Sequence, residues 1–280
     1  MIPVDRPKDP PGILKRNGNK WLSKLQTART DLQQVMANPA ATKEQIAKAE
    51  KNVESAINKY RQKEIKDALE RMFHGKCAYC ESQVTTTGYG DIEHFCPKRN
   101  PRCVNLTFEW SNLLLSCEKC NDAGHKGTQF PIDSNGNPLL IDPTDEETDI
   151  NQHLDFSWDV VDGARVEGRD VRGKEVERIF DLNSDRGSRK ELIKHRSARV
   201  KQILSLLKIA QQTANPDAIA LLKEHCQPSA EYSAFALVHI LPYLAHNFRD
   251  PEAIDLLREV SRRSTEYAAF ALDRDLPSIS

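Results

Sequence analysis

The chain lacks any apolar run approaching the roughly 20 residues that a membrane-spanning helix requires, so no helical span and no membrane partner are expected. Its first residues, Met-Ile-Pro-Val-Asp-Arg-Pro-Lys, contain no apolar core of a secretory leader, and a cytoplasmic address is the expectation. An excess of either charge is missing as well. Lys and Arg number 40 against 41 Asp and Glu, for a formal net charge of −1. Stand-alone DNA binders are as a rule far more basic. Weak binding to free DNA is therefore expected, unless charge is concentrated locally or a partner supplies the grip.

What is present is a globular composition, 39% hydrophobic and 29% charged over 280 residues, enough for one large domain or two to three small ones. The expected fold is mainly α, an α+β chain with a helical N-terminal arm, a small metal-braced core and a C-terminal helical-hairpin repeat. Residues 1–20, rich in Pro, Gly, Lys and Asn, read as extended. Trp21, Leu22, Leu25, Leu32 and Val35 then recur at a helical period until Asn38-Pro39 breaks it. Thr42 and Gln45 make a capping box for one long helix. Its apolar stripe is Ile46, Val53, Ile57, Tyr60, Ile65, Leu69 and Phe73, and Gly75 is placed to end it. This divides the chain into an arm with its helices (1–75), a cysteine-bearing core (76–131), a mixed α/β extension (132–200) and a C-terminal helical region (201–280).

Within the extension, 139–141 reads as a short strand, and 154–158 alternates like a half-buried strand that Asp162-Gly163 turns into a hairpin. A short helix is expected around 176–182. Ser188 with Glu191 forms a second capping box, opening a helix through about 211. Its first half carries Arg189, Lys190, Lys194, Arg196, Arg199 and Lys201, a stripe for phosphate or an acidic partner, or else a solvated face. Beyond it the chain repeats itself at an offset of 35 residues. Asn215-Pro216-Asp217-Ala218-Ile219 answers Asp250-Pro251-Glu252-Ala253-Ile254, and Tyr232 and Phe235 answer Tyr267 and Phe270. Each copy reads as a helical hairpin with those aromatics buried.

Four of the seven cysteines form two Cys-x-x-Cys pairs, Cys77/Cys80 and Cys117/Cys120. In a reducing compartment that spacing favours metal over disulfides. Four thiolates suit a closed, structural Zn²⁺ site, which joins segments and does no chemistry. The 36 residues between Cys80 and Cys117 leave room for a sizeable insert. Cys96, Cys103 and Cys226 form no such pair, and Cys96 and Cys103 are not expected to be ligands.

The insert contains Asp91-Ile92-Glu93-His94-Phe95-Cys96-Pro97-Lys98 and then Trp110-Ser111-Asn112-Leu113-Leu114-Leu115-Ser116. After the second cysteine pair comes Asn121-Asp122-Ala123-Gly124-His125-Lys126-Gly127. Phosphodiester hydrolysis needs a base, a cation and an alignment of the two. A histidine after a carboxylate offers the base. A helix after the second pair would present Asn121 and His125, four residues apart, on one face toward one cation.

At these residues the chain resembles the HNH endonuclease family, with its ββα-metal core. More narrowly, it is similar to the PtuB-type HNH nucleases of Septu and retron-associated anti-phage defence systems. The resemblance rests on the Cys-x-x-Cys pairs, Glu-His-Phe-x-Pro-Lys, Trp-x-Asn-Leu-Leu-Leu-Ser-Cys-x-x-Cys-Asn, Phe130-Pro131 and Leu-Ile-Asp-Pro at 140–143. It implies His94 as general base and Asn112 as the brace of the histidine loop. Glu93, Asn121 and His125 are implied as ligands of a catalytic Mg²⁺ or Mn²⁺, with Asp122 an alternative ligand. It further implies a nucleic-acid substrate, most readily DNA, and an ABC/SMC-like ATPase partner; a homo-oligomer is also open. Two departures stand out: Glu93 replaces the commoner Asp, and Lys126-Gly127 lies two residues further on than usual. The competing reading is a non-catalytic zinc module that binds nucleic acid or protein, for which His94 would be dispensable.

Overall fold

In the computed structural model, which describes residues 1–84, 90–187 and 189–261, helix α1 (Gly12–Ala37) begins directly after Pro11, well before the apolar period at Trp21. The extended arm is thus shorter than its composition suggested. A tertiary cap explains the early start. Glu64 Oε1 accepts the Ile13 N–H at 2.9 Å, satisfying a first-turn donor and placing negative charge at the positive end of the helix dipole. Two compact units emerge, one of residues 6–72 and 91–115, the other of residues 1–5, 73–90 and 116 onward.

In the first unit α1 ends at Ala37 with Asn38 as its C-cap, and α2 (Lys43–Ile57) opens on the Thr42–Gln45 capping box, both halves of which form. The single long helix expected from 42 to 73 is broken. Residues Asn58–Tyr60 make a 3-10 turn, and α3 (Lys63–Met72) starts afresh. The apolar stripe requires this. At about 100° per residue, Ile65 on a continuous helix would lie roughly 80° off the Ile57 line. The break lets Ile57, Tyr60, Ile65 and Leu69 all be buried. Strand β1 (Asp91–His94) pairs with β2 (Leu113–Ser116) in a two-stranded sheet. Leu113, Leu114 and Leu115 are fully buried. Cys96 and Cys103 form a disulfide across seven residues. No sequence signal had paired these two cysteines. Closing so short a loop stabilises by about 2–3 kcal/mol in the chain-entropy account.

The second unit carries the two cysteine pairs. Helix α4 (Glu118–Asn121) follows the second pair, and α5 (Ile150–His153) leads into the hairpin of β3 (Leu154–Asp159) and β4 (Gly163–Gly168). The register runs from Leu154 opposite Gly168 to Asp159 opposite Gly163. The hairpin closes at Gly163, whose φ of +75° only glycine adopts without strain. Residues 139–141 are not a strand. Leu140 and Ile141 are fully buried irregular chain, flanked by Pro138 and Pro143, which cannot donate to a ladder.

Helix α6 (Val171–Phe180) packs on β4, and α7 (Arg189–Thr213) packs on β4 and on α8 (Pro216–Cys226). Ser188, the expected cap of α7, lies outside the described residues. Then come α9 (Ser233–His239), α10 (Leu241–Asn247) and α11 (Pro251–Ser261). The 35-residue repeat reappears as repeated capping. Asn215 accepts the Ala218 N–H at 3.0 Å, and Asp250 accepts the Ala253 N–H at 3.0 Å. Each is preceded by a left-handed residue, Ala214 or Arg249. Tyr232 and Phe235 are buried; Tyr267 and Phe270 lie outside the described residues. Among the described residues no helix is long and apolar enough to cross a membrane.

Candidate functional site

The first cysteine pair sits in a tight turn of the second unit. After α3 the chain reverses through His74 and Gly75, both at positive φ. Lys76 bridges Gln83, and Glu81 N–H donates to Cys77 O at 3.0 Å. The second pair opens α4, where Cys117 Sγ accepts the Cys120 N–H at 3.4 Å. The four sulphurs of Cys77, Cys80, Cys117 and Cys120 all lie within 4.8 Å of one another, and three of the residues are buried.

These residues fit a tetrahedral metal. Zinc–sulphur bonds of about 2.3 Å put the sulphurs of a regular tetrahedron about 3.8 Å apart, and Cys80 Sγ lies 3.8 Å from Cys117 Sγ. The cluster could therefore hold a metal such as zinc. Hydrogen bonds from Cys117 and Cys120 bring the Cys80 thiol well below its ordinary value, and burial pushes Cys120 well above it. Tyr79, between the first two cysteines, stacks on Phe180 with ring centroids 4.0 Å apart, tying the end of α6 to the turn.

The positive stripe of α7 is not uniformly available to a partner. Arg189 is 4% exposed and Arg196 2%. Arg189 Nη2 donates to Cys120 Sγ at 3.2 Å and to the Phe180 carbonyl, while Arg196 Nη2 donates to the Leu182 carbonyl. These two leave the expected phosphate-facing stripe, because positions seven apart on a helix share the face that packs inward. Lys190 and Lys194 are exposed, and Lys194 pairs with Glu191 at 2.7 Å.

Glu93, His94 and Asn112 belong to the other unit. Glu93 and His94 are successive residues of β1, so their side chains leave opposite faces of the strand; both are buried. His94 Nε2 lies 3.0 Å from the Thr107 carbonyl oxygen. A carbonyl only accepts, so Nε2 carries the proton and the basic lone pair of the neutral ring is on Nδ1. The Tyr60 ring meets the imidazole edge-on at 4.5 Å, and the Tyr60 hydroxyl accepts from Lys98 Nζ at 2.7 Å. Asn112 clamps the chain that leaves β1. Its Oδ1 accepts from Cys96 N–H at 2.8 Å, and its Nδ2 donates to the Cys96 and Leu106 carbonyls at 3.0 and 3.1 Å. Its own carbonyl accepts from Phe95 N–H at 2.9 Å.

The helix expected to present Asn121 and His125 on one face does not form. It ends at Asn121, and Asp122 is extended at φ −69° and ψ 166°. Asp122 Oδ1 accepts the N–H groups of Gly124 and His125 at 2.9 and 3.1 Å. That local side-chain turn competes with continued helix. The same oxygen lies 2.7 Å from His125 Nδ1, so the pairing formed here is Asp122 with His125. Among the described residues the four cysteines are the one group of three or more Cys, His, Asp or Glu whose ligand atoms gather closely enough for a metal. The roles of Thr107, Tyr60, Arg189 and Arg196 at these places had no signal in the sequence. Each depends on a partner between 9 and 69 residues away.

Over 178 residues the chain is 31% identical to a Septu protein PtuB of Bacillus mycoides (strain KBAB4), covering 55% of this chain and 56% of the relative. Over 120 residues it is 38% identical to a Septu protein PtuB of Bacillus thuringiensis, covering 42% of this chain and 41% of the relative. The chain thus spans about half the length of the curated relatives it matches, and its kinship to proteins of that name holds over that portion. No family model and no solved structure matches it.

Proposed function

We propose that this relative of Septu PtuB proteins is a Septu-type anti-phage defence component and acts as its metal-dependent HNH endonuclease, hydrolysing phosphodiester bonds in nucleic acid, with DNA the substrate. The observation that carries the reading is the setting of His94. Its Nε2 is tied to the Thr107 carbonyl and its loop is clamped by Asn112, so the ring is held in one orientation and one tautomer, with Nδ1 its basic nitrogen. A purely structural or binding module has no need of an imidazole oriented in this way.

In this reading His94 Nδ1 accepts the proton of the attacking water, and Asn112 keeps the loop after β1 from shifting. A divalent cation such as Mg²⁺ or Mn²⁺ would supply Lewis-acid polarisation of the phosphate and its leaving 3′ oxygen. The hard oxygen of Glu93 suits such an ion, and the motif makes Asn121, Asp122 and His125 the remaining ligand candidates. The four cysteines brace the fold through zinc. An ABC/SMC-like ATPase partner would supply the DNA grip that a net charge of −1 withholds.

The test is plasmid cleavage with Mg²⁺ or Mn²⁺, alone and with the ATPase partner, comparing wild type with His94→Ala. Loss of the general base should lower the rate by about 10²–10⁴ with zinc content unchanged, and added metal should not restore it. Full cleavage by His94→Ala, with contaminating nuclease excluded, would favour the non-catalytic zinc module.

A further inference from the structure

The cysteine cluster and the two buried arginines of α7 raise a charge problem with one economical answer. A divalent metal held by four thiolates is a dianion. Burying it in a medium that solvates charge poorly is costly unless counter-charges lie against it. Arg189 and Arg196 are themselves buried cations, 4% and 2% exposed. Among the described residues neither has a carboxylate within ion-pair distance. Arg189 Nε and both Nε and Nη1 of Arg196 have no hydrogen-bond partner. The two residues stand seven apart on α7, almost two full turns, so they present to one side of the helix. Two like charges buried on one helix face repel each other unless something anionic lies nearby. A metal-bound tetrathiolate supplies that anion at the right place: Arg189 Nη2 lies 3.2 Å from Cys120 Sγ.

We propose that Arg189 and Arg196 are the built-in counter-charges of a metal tetrathiolate at Cys77, Cys80, Cys117 and Cys120, and that metal loading thereby secures α7 against the cysteine turns. Four thiols and a divalent metal give the dianion and four released protons, and two guanidiniums bring the buried assembly to neutrality. The metal then does more than join two cysteine pairs. It supplies the charge that makes burial of these two α7 side chains favourable. This inference stands on the second unit alone and is independent of the nuclease reading.

The test measures zinc affinity by chelator competition, together with amide exchange along α7, in wild type, Arg189→Met, Arg189→Lys and Arg196→Met. Loss of a partner beside the metal ligands typically costs about 10–100-fold in affinity. Both Met variants should weaken zinc by that order, and Arg189→Lys should recover most of it, because charge rather than shape is the requirement. In a Cys120→His background the centre carries one negative charge fewer, so Arg189→Met should cost less there. In wild type, stripping zinc should speed exchange across α7. This readout needs no variant and decides the question even where a substitution prevents folding. Wild-type zinc affinity in a folded Arg189→Met, Lys and Met variants equally impaired, or α7 exchange indifferent to zinc would each overturn the proposal.

Discussion

Replacing Asn112 by Ala removes a carboxamide that makes three hydrogen bonds in a position 4% exposed. Cys96 N–H, Cys96 C=O and Leu106 C=O lose the partner that lay at 2.8, 3.0 and 3.1 Å. A buried group left unsatisfied costs about 1–3 kcal/mol. Water entering the small void relieves part of that, so the expected loss is about 3–5 kcal/mol, a large share of the stability of an ordinary domain. Asn112→Asp is the sharper comparison. It keeps the acceptor for Cys96 N–H but turns a carboxylate oxygen toward two carbonyls that need a donor, and it should be less stable than the alanine variant. Trp21 and Trp110 lie in the same unit as Asn112, and Trp158 in the other. Tryptophan fluorescence during urea unfolding of a Trp158→Phe protein therefore reports this unit. A shift below about 0.5 kcal/mol for Asn112→Ala, or an aspartate variant as stable as wild type, would refute the claim that the carboxamide holds the loop.

Cys120→Ser should lower bound zinc, read by elemental analysis, and should lower the melting temperature, since structural zinc contributes folding energy directly; a variant with full zinc and an unchanged melt would contradict the cluster. Gly173→Ala should destabilise by about 2–3 kcal/mol, because a Cβ there would stand 1.8 Å from the His153 carbonyl oxygen; urea unfolding followed at Trp158 measures it, and a neutral result would show that α6 does not approach so closely. Burial pushes the Cys226 thiol up to about 12, so it stays protonated at pH 8 and should resist alkylation in the native protein, yet react once unfolded. Mass spectrometry showing rapid native labelling at Cys226 would place it outside the core.

Local patterns were readable from the amino-acid order alone. The Thr42–Gln45 capping box, the hairpin closing at Gly163 and the repeated caps at Asn215 and Asp250 each depend on residues within a few positions of one another. The two Cys-x-x-Cys pairs announced a metal-type cluster because that spacing suits thiolate ligation, and their sulphurs do gather. The motif also singled out Glu93, His94 and Asn112 as residues to watch.

Other features were decided only by contacts between distant segments. α1 starts at Gly12 because Glu64, 51 residues on from Ile13, caps it. The helix through 42–73 breaks because one apolar stripe could not serve both halves on a continuous spiral. α4 stops at Asn121 because the Asp122 carboxylate takes the next N–H groups, a choice that helical spacing cannot register. Cys96 and Cys103 pair without any recognised spacing. The basic run on α7 looked like a surface stripe because sequence records charge but not burial. The turns of α7 that carry Arg189 and Arg196 face inward, and a cation buried there is tolerable only where folding sets it against sulphur and carbonyl oxygen. The order of the residues thus determined which groups were available, while the packing of remote segments determined which of those groups meet, because the free energy of a buried charge or a capped donor depends on its neighbours in space.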